Sequence, residues 1–198
     1  MANYIKAFVD KIEDFNDLEI EFRLGTFNSY FINGINPDIF NKLKNNIESL
    51  NLPMTNKKSM DIILHNNDKI ILNDNYITIV NKVRVNIKDI QIFNNYFIRL
   101  SAAKETIKQS QYISESRKSV LINYYKHDPA TKTTRYKSRD TFVDTSNNIQ
   151  YDFTSVICNG NTTLEIEVEF IGENTLPRDI IFKSLVSGYN NIIKYLHH

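Results

Sequence analysis

From Lys57 to Phe170 the chain alternates apolar and polar residues with a period of two, and this run constrains its fold most. KSMDIILH, NYITIVNKVRVNIKDI, YFIRLSAAKE, YISESRKSVLINYY, TTRYKSRDTFV, IQYDFTSVIC and TTLEIEVEF are all rich in Ile, Val, Thr, Tyr and Phe. Successive side chains on a strand point to opposite faces, so the pattern predicts one half-buried strand after another. Turn-like breaks (NND, FNN, KHDPA, DTSNN and CNGN) separate several of them. Such a series predicts a large antiparallel sheet or a closed barrel.

Helical spacing brackets the strands. Phe8, Ile12 and Phe15 form one stripe of a helix expected over Tyr4 to Phe15. INPDIFNKLKNNIESL reads as a capped helix, with Asn36 as N-cap, Pro37 in the first turn, and Ile39, Leu43, Ile47 and Leu50 facing the core. A last helix is expected over Arg178 to Leu196, with Ile181, Leu185, Tyr189, Ile192 and Leu196 on one side. Few Gly and Pro residues and no repeat divide the chain, so its 198 residues read as one α+β domain dominated by strands.

The charged faces of the strands carry the chemistry. In LEIEFRLGTF, Glu19, Glu21 and Arg23 stand opposite Ile20 and Phe22; in LEIEVEF, Glu165, Glu167 and Glu169 share a face. In RYKSRDT, Arg135, Lys137 and Arg139 share a face, and in YDFTSV so do Asp152 and Thr154, opposite Phe153. Any one of these faces suits the solvated side of an antiparallel sheet. Together they segregate by sign, although like charges on one strand repel and a soluble surface normally mixes them. Segregation of that sort suits an enclosed site. Carboxylate oxygens are the ligands of Mg²⁺ and Mn²⁺, and guanidinium and ammonium groups suit phosphate oxygens. Side by side, the two sets would hold a metal–polyphosphate.

Other chemistries fit poorly. The net charge is +1, so any nucleic-acid contact must be local. Cys158 is the only cysteine, which rules out an intramolecular disulfide and suits a reducing compartment. There is no GxxxxGK[ST] loop, GxGxxG turn or GxSxG elbow, and no apolar run spans a bilayer. These features read as a soluble intracellular protein.

The motifs resemble those of the metal-dependent RNA triphosphatases of the triphosphate tunnel metalloenzyme family. LEIEFRLGTF is similar to the first glutamate strand and LEIEVEF to the last. FIRLSAAKE resembles the R-[IL]-S-x-x-x-E strand (Arg99, Ser101, Glu105), RYKSRDT the R-x-K-x-R-x-[ST] strand, and YDFTSV the D-[LF]-T-x-V strand. VNKVRV looks like the earlier basic strand, with Lys82 or Arg84 inward. Arg23 stands where the broader family, with its adenylyl cyclases, thiamine triphosphatases and polyphosphatases, has the lysine of E-x-E-x-K. The size is similar to that of the N-terminal triphosphatase domain of giant-virus capping enzymes.

The resemblance implies an antiparallel barrel of about eight strands enclosing a charged tunnel, with helices outside. It implies a polynucleotide 5'-phosphatase that removes the γ-phosphate of 5'-triphosphate RNA in mRNA capping, and hydrolyses NTPs too. Mn²⁺ or Mg²⁺ would sit on Glu19, Glu21 and Glu169, with Glu165 and Glu167 acting through water or on basic partners. Arg135, Lys137 and Arg139, with Arg99, Lys82 or Arg84, and Arg23, would grip the triphosphate. Glu105 or Asp152 would orient the attacking water, and Thr154 would bond a phosphate or a neighbour. Guanylyltransferase and methyltransferase domains are the implied partners, in a longer chain; for a virus, the host cytoplasm or virus factory is the implied compartment. The rivals are another tunnel triphosphatase, acting on inorganic tripolyphosphate, thiamine triphosphate or NTPs, and a non-enzymatic barrel that binds polyphosphate or RNA.

Overall fold

The computed structural model describes residues 1–13, 17–173 and 175–194. Nine strands form one antiparallel sheet: β1 (Leu18–Asn28), β2 (Tyr30–Asn33), β3 (Met54–Leu64), β4 (Asp68–Asn73), β5 (Tyr76–Phe93), β6 (Tyr96–Tyr112), β7 (Thr131–Asp144), β8 (Ile149–Cys158) and β9 (Asn161–Phe170). Their spatial order is β1-β6-β5-β4-β3-β7-β8-β9, and β9 pairs back onto β1 through Ile20–Arg23. Eight strands therefore close into a barrel, which removes the exposed edges of an open sheet. The ninth, β2, extends only the far end of β1.

The tight connections use residues that tolerate a left-handed backbone. Asn67, Asp74, Asn94, Asn148, Asn159 and Gly160 all have positive φ. All but Asp74 occupy the turns that NND, FNN, DTSNN and CNGN announce; Asp74 lies in the β4–β5 turn, which those breaks do not mark.

The described residues also form four helices: α1 (Ala2–Asp10), α2 (Pro37–Glu48), α3 (Glu115–His127) and α4 (Arg178–Ile193). Asn36 caps α2, its side chain accepting from the Ile39 N–H at 2.9 Å. The packing explains which way the strands face. Ile20, Phe22 and Leu24 of β1, Tyr151 and Phe153 of β8, and Ile166 and Val168 of β9 form one buried cluster. Ile5 and Phe8 of α1, Leu43 and Ile47 of α2, and Ile181 and Leu185 of α4 join it. The apolar strand faces thus point outward onto helices. Period-two alternation then turns the charged faces into the barrel.

A second cluster corrects the sequence reading. YISESRKSVLINYY is not a strand beyond Tyr112; Glu115–His127 is helical. Ser114 caps it, its Oγ accepting from the Arg117 N–H at 3.4 Å. Leu121, Ile122 and Tyr125 lean on Met60, Ile62, Ile70, Leu72 and Ile77. Their helical spacing outweighs the β-branched content of the segment. Two further expectations change. Helix α2 stops at Glu48 and leaves Leu50 exposed, and α1 ends at Asp10, though Ile12 is still buried. Phe15 and Leu196 lie outside the described residues. None of the described helices is long and apolar enough to cross a membrane.

Gly25 marks the tightest approach in the β1–β2 hairpin. A methyl group there would run into the Ile32 carbonyl and the Phe31 ring. Gly25→Ala is expected to lower stability by about 1–3 kcal/mol, read as a fall in thermal midpoint.

Candidate functional site: a charged cavity inside the barrel

The inward faces enclose a cavity of about 730 Å³. Seven carboxylates and nine cations line it: β7 supplies only cations and β9 only carboxylates, β1 and β3 carry both, and the sum is positive, as suits an anion.

Register fixes who meets whom. Glu21 lies directly opposite Glu169 and Arg23 opposite Glu167 across β1–β9; Glu21 faces Ser101 and Arg23 faces Arg99 across β1–β6. Arg139 lies opposite Thr154 and Thr141 opposite Asp152 across β7–β8. Across β8–β9, Asp152 and Thr154 face Glu167 and Glu165. The carboxylates of β1 and β9 therefore sit on adjacent strands, and the basic row of β7 stands two strands further round.

Ion pairs hold this arrangement. Arg23 bridges Glu21, at 2.9 Å, and Glu167. Lys82 pairs with Glu19, Arg135 with Glu165 at 2.6 Å, and Lys137 with Asp61 at 2.6 Å. Arg139 donates through Nη1 to Asp152 at 2.6 Å, through Nη2 to Glu167 at 2.9 Å and through Nε to Thr154 Oγ1 at 3.1 Å. The Ser101 hydroxyl donates to Glu21 at 2.9 Å.

The pairing sets the protonation states. Burial opposes ionisation of Glu167, but Arg23, Arg139, Lys137 and Lys82 override it and hold the carboxyl at about 2. Burial also works against the Arg23 charge, yet Glu167 and Glu21 keep its pKa above the ordinary value. Burial pulls the Lys137 ammonium below its usual range despite Asp61. Glu169 is the exception among the acids. Burial, then Glu19, Asp152, Glu21 and Glu167, push it up to about 8, and no cation or donor among the described residues reaches its carboxylate.

Glu19, Glu21, Arg23, Lys82, Arg84, Glu105, Arg135, Lys137, Arg139, Glu165, Glu167 and Glu169 all line the cavity. Three expected residues do not. Arg99 is on the inward side but past the cavity, bound to Asp89 at 2.7 and 2.8 Å and stacked 4.4 Å from the Phe31 ring centroid. Asp152 and Thr154 are buried behind Arg139, where Asp152 also accepts from the Thr141 hydroxyl at 2.6 Å. They set the position of Arg139 and do not themselves face the cavity.

The cavity also recruits residues that the motifs left out: Lys57, Ser59 and Asp61 of β3, Lys69 of β4, and Lys132 of β7. KKSMDIIL, from Lys57, carries the first three at period two, so the sequence holds that signal. Lys132 breaks the period. The β3–β7 register skips it between Ile63–Thr133 and Leu64–Thr131, and this bulge turns its side chain inward.

No protein-family model and no curated protein matches this chain by sequence. Solved structures do resemble it. The S. pombe RNA triphosphatase Pct1 aligns over 98% of this chain and 91% of its own, at a TM-score of 0.68 and 18% identity. The RNA triphosphatase domain of a trifunctional mimivirus mRNA capping enzyme aligns over 100% of this chain and 97% of its own, at 0.56 and 15%. This chain has the triphosphate tunnel fold. At such identities the likeness establishes the fold, and the chemistry of the tunnel rests on its own residues.

A divalent cation fits one corner of the tunnel. Glu21 and Glu169 are direct cross-strand neighbours of like charge, an arrangement that is unfavourable unless a cation lies between them. Glu19, one period along, completes a hard oxygen set. Among the described residues no three such side chains are already drawn into a metal cage, because Lys82, Arg23 and Ser101 hold Glu19 and Glu21.

That corner has a pH signature. A carboxyl with a folded-state pKa near 8, against an ordinary 4.5, keeps a proton that the unfolded chain releases. Its contribution to stability is full below about pH 4.5 and lost as the pH rises through 8. Glu21 and Asp152, also raised by burial, act in the same sense, whereas Glu167 acts only below pH 4.5. The metal-free protein is expected to melt at progressively lower temperature from pH 5 to 8. Glu169→Gln should flatten that slope, and Mn²⁺ should suppress it in the parent protein. A thermal midpoint independent of pH in EDTA contradicts this.

Proposed function

We propose that this chain is a metal-dependent RNA 5'-triphosphatase, which removes the γ-phosphate of 5'-triphosphate RNA in the first step of mRNA capping. One observation carries the reading: carboxylates on β1 and β9 face the basic row of β7 across one enclosed cavity, in a fold shared with RNA triphosphatases.

Arg135, Lys137 and Arg139 hold the triphosphate, and Lys82 and Arg23 offset charge that builds on the transferring group. A Mn²⁺ or Mg²⁺ ion on Glu19, Glu21 and Glu169 would withdraw charge from the γ-phosphate oxygens. Glu105 lines the tunnel with no partner among the described residues, whereas Asp152 is held by Arg139 and Thr141. Glu105 is therefore the residue assigned to orient the water and take up its proton. Water adds to the γ-phosphorus as the bond to the β-bridging oxygen breaks, giving inorganic phosphate and a 5'-diphosphate end. That end is the acceptor for a guanylyltransferase.

The test is phosphate release from γ-labelled triphosphate RNA, with Mn²⁺ and with EDTA, beside ATP, thiamine triphosphate and tripolyphosphate under the same conditions. Release from RNA only with metal supports the proposal. A strong preference for thiamine triphosphate or tripolyphosphate overturns it.

A further inference from the structure

The two mouths of the tunnel differ in charge. Antiparallel order gathers the β3–β4, β5–β6 and β8–β9 turns at one end and the β4–β5 and β7–β8 turns at the other. Glu19, at the start of β1, and Glu169, at the end of β9, lie towards the β7–β8 turn. The opposite mouth is basic. Lys69 begins β4 beside the β3–β4 turn, and Asn67 is in that turn. Lys132 is turned in by the bulge against Ile63 and Leu64 at the same turn. Arg84 lies on β5 beyond Asn81, the last residue that β4 reaches, next to a second bulge at Arg84/Asn86.

These cations differ from those deeper inside. Lys82, Arg135, Lys137 and Arg139 all have carboxylate partners. Among the described residues Lys57, Lys69, Arg84 and Lys132 line the tunnel with no carboxylate partner; Lys57, opposite Arg139 near the start of β3, lies towards the other mouth, and the remaining three lie at this one. Three uncompensated cations at one rim repel each other, and a polyanion passing between them removes that repulsion. A free tripolyphosphate ends at the inner grip. An RNA 5' end continues beyond it as phosphodiesters, each carrying one charge.

We infer that the mouth formed by Lys69, Arg84 and Lys132 is the exit groove for the RNA chain, contacting the first phosphodiesters and setting the preference for RNA ends over free triphosphates. The inference rests on the reading of the tunnel as an RNA triphosphatase site. Contacts of this kind are to backbone phosphates and carry no base preference. The bulges explain the geometry, because without them period two would turn Lys132 away from the tunnel.

The test is the double substitution Lys69→Ala/Lys132→Ala; Lys132 is exposed and Lys69 half-buried, and among the described residues neither has an ion pair to lose. Binding is followed by fluorescence anisotropy of a labelled 5'-triphosphate oligonucleotide, with tripolyphosphate as competitor, and turnover is followed on both compounds. The expected result is roughly a tenfold fall in the ratio of kcat/KM for RNA to that for tripolyphosphate, carried by KM. The salt dependence of RNA binding should become shallower as well, since fewer phosphate contacts release counterions. Unchanged RNA binding, or equal losses on RNA and tripolyphosphate, overturns the exit groove. An oligonucleotide that binds through these lysines yet is not hydrolysed with Mn²⁺ supports the groove and overturns only the activity.

Discussion

Glu19→Ala is expected to lower metal-dependent phosphate release from triphosphate RNA by at least about a hundredfold, with little change in stability. The two readouts separate because of where Glu19 sits. Its side chain keeps 22% of its surface exposed, and among the described residues its only ionic partner is Lys82. Truncation removes a partly exposed ion pair, worth about 1 kcal/mol or less. Its effect on a cation site acts directly on the reacting phosphate. Glu169→Gln is the companion, with no cationic partner to lose and a neutral side chain of the same shape. It should cost the same activity, and in EDTA it should stabilise the protein near pH 8, where ionised Glu169 is unfavourable. A barrel that merely binds RNA predicts no chemical consequence for either change. Release that survives both substitutions, at matched Mn²⁺, sinks the metal-site reading.

How far these residues were legible in the sequence follows from the physics of a barrel. Strand period two assigns residues to faces, and it grouped Glu19 with Glu21, Arg135 with Lys137 and Arg139, and Glu165 with Glu167 and Glu169. It says nothing of which face is enclosed. That was set by the helices, which cover Ile20, Phe22, Phe153 and Ile166 from outside and leave a mostly charged lining. Periodicity also fails at irregularities. Lys132 enters the tunnel only because β7 bulges there, and α3 was hidden in a β-branched stretch whose Ser114 cap was the better signal. Depth was the third unknown. Asp152 and Thr154 share the inward face with Arg139, but their short side chains end beneath its guanidinium.

That difference in depth gives the second large effect. Arg139→Ala is expected to abolish detectable triphosphatase activity and to destabilise the protein by about 2–4 kcal/mol. The stability term arises because Asp152 is 1% exposed and Glu167 6%, so removing their shared guanidinium strands buried charge. Neither acid is left wholly bare, since Asp152 keeps Thr141 and Gln150 and Glu167 keeps Arg23, which limits the loss. Arg139→Lys retains the charge but not the three-way fork, and should recover stability better than activity. Asp152→Asn decides what the buried acid does. Acting through Arg139, it should raise KM more than it lowers kcat, leave the pH profile in place, and add little in an Arg139→Lys background. Were Asp152 the group that orients water, the same change would lower kcat with KM unmoved and remove a limb of the profile. The 2.6 Å contact to Arg139 Nη1 and the absence of Asp152 from the tunnel wall favour the first outcome.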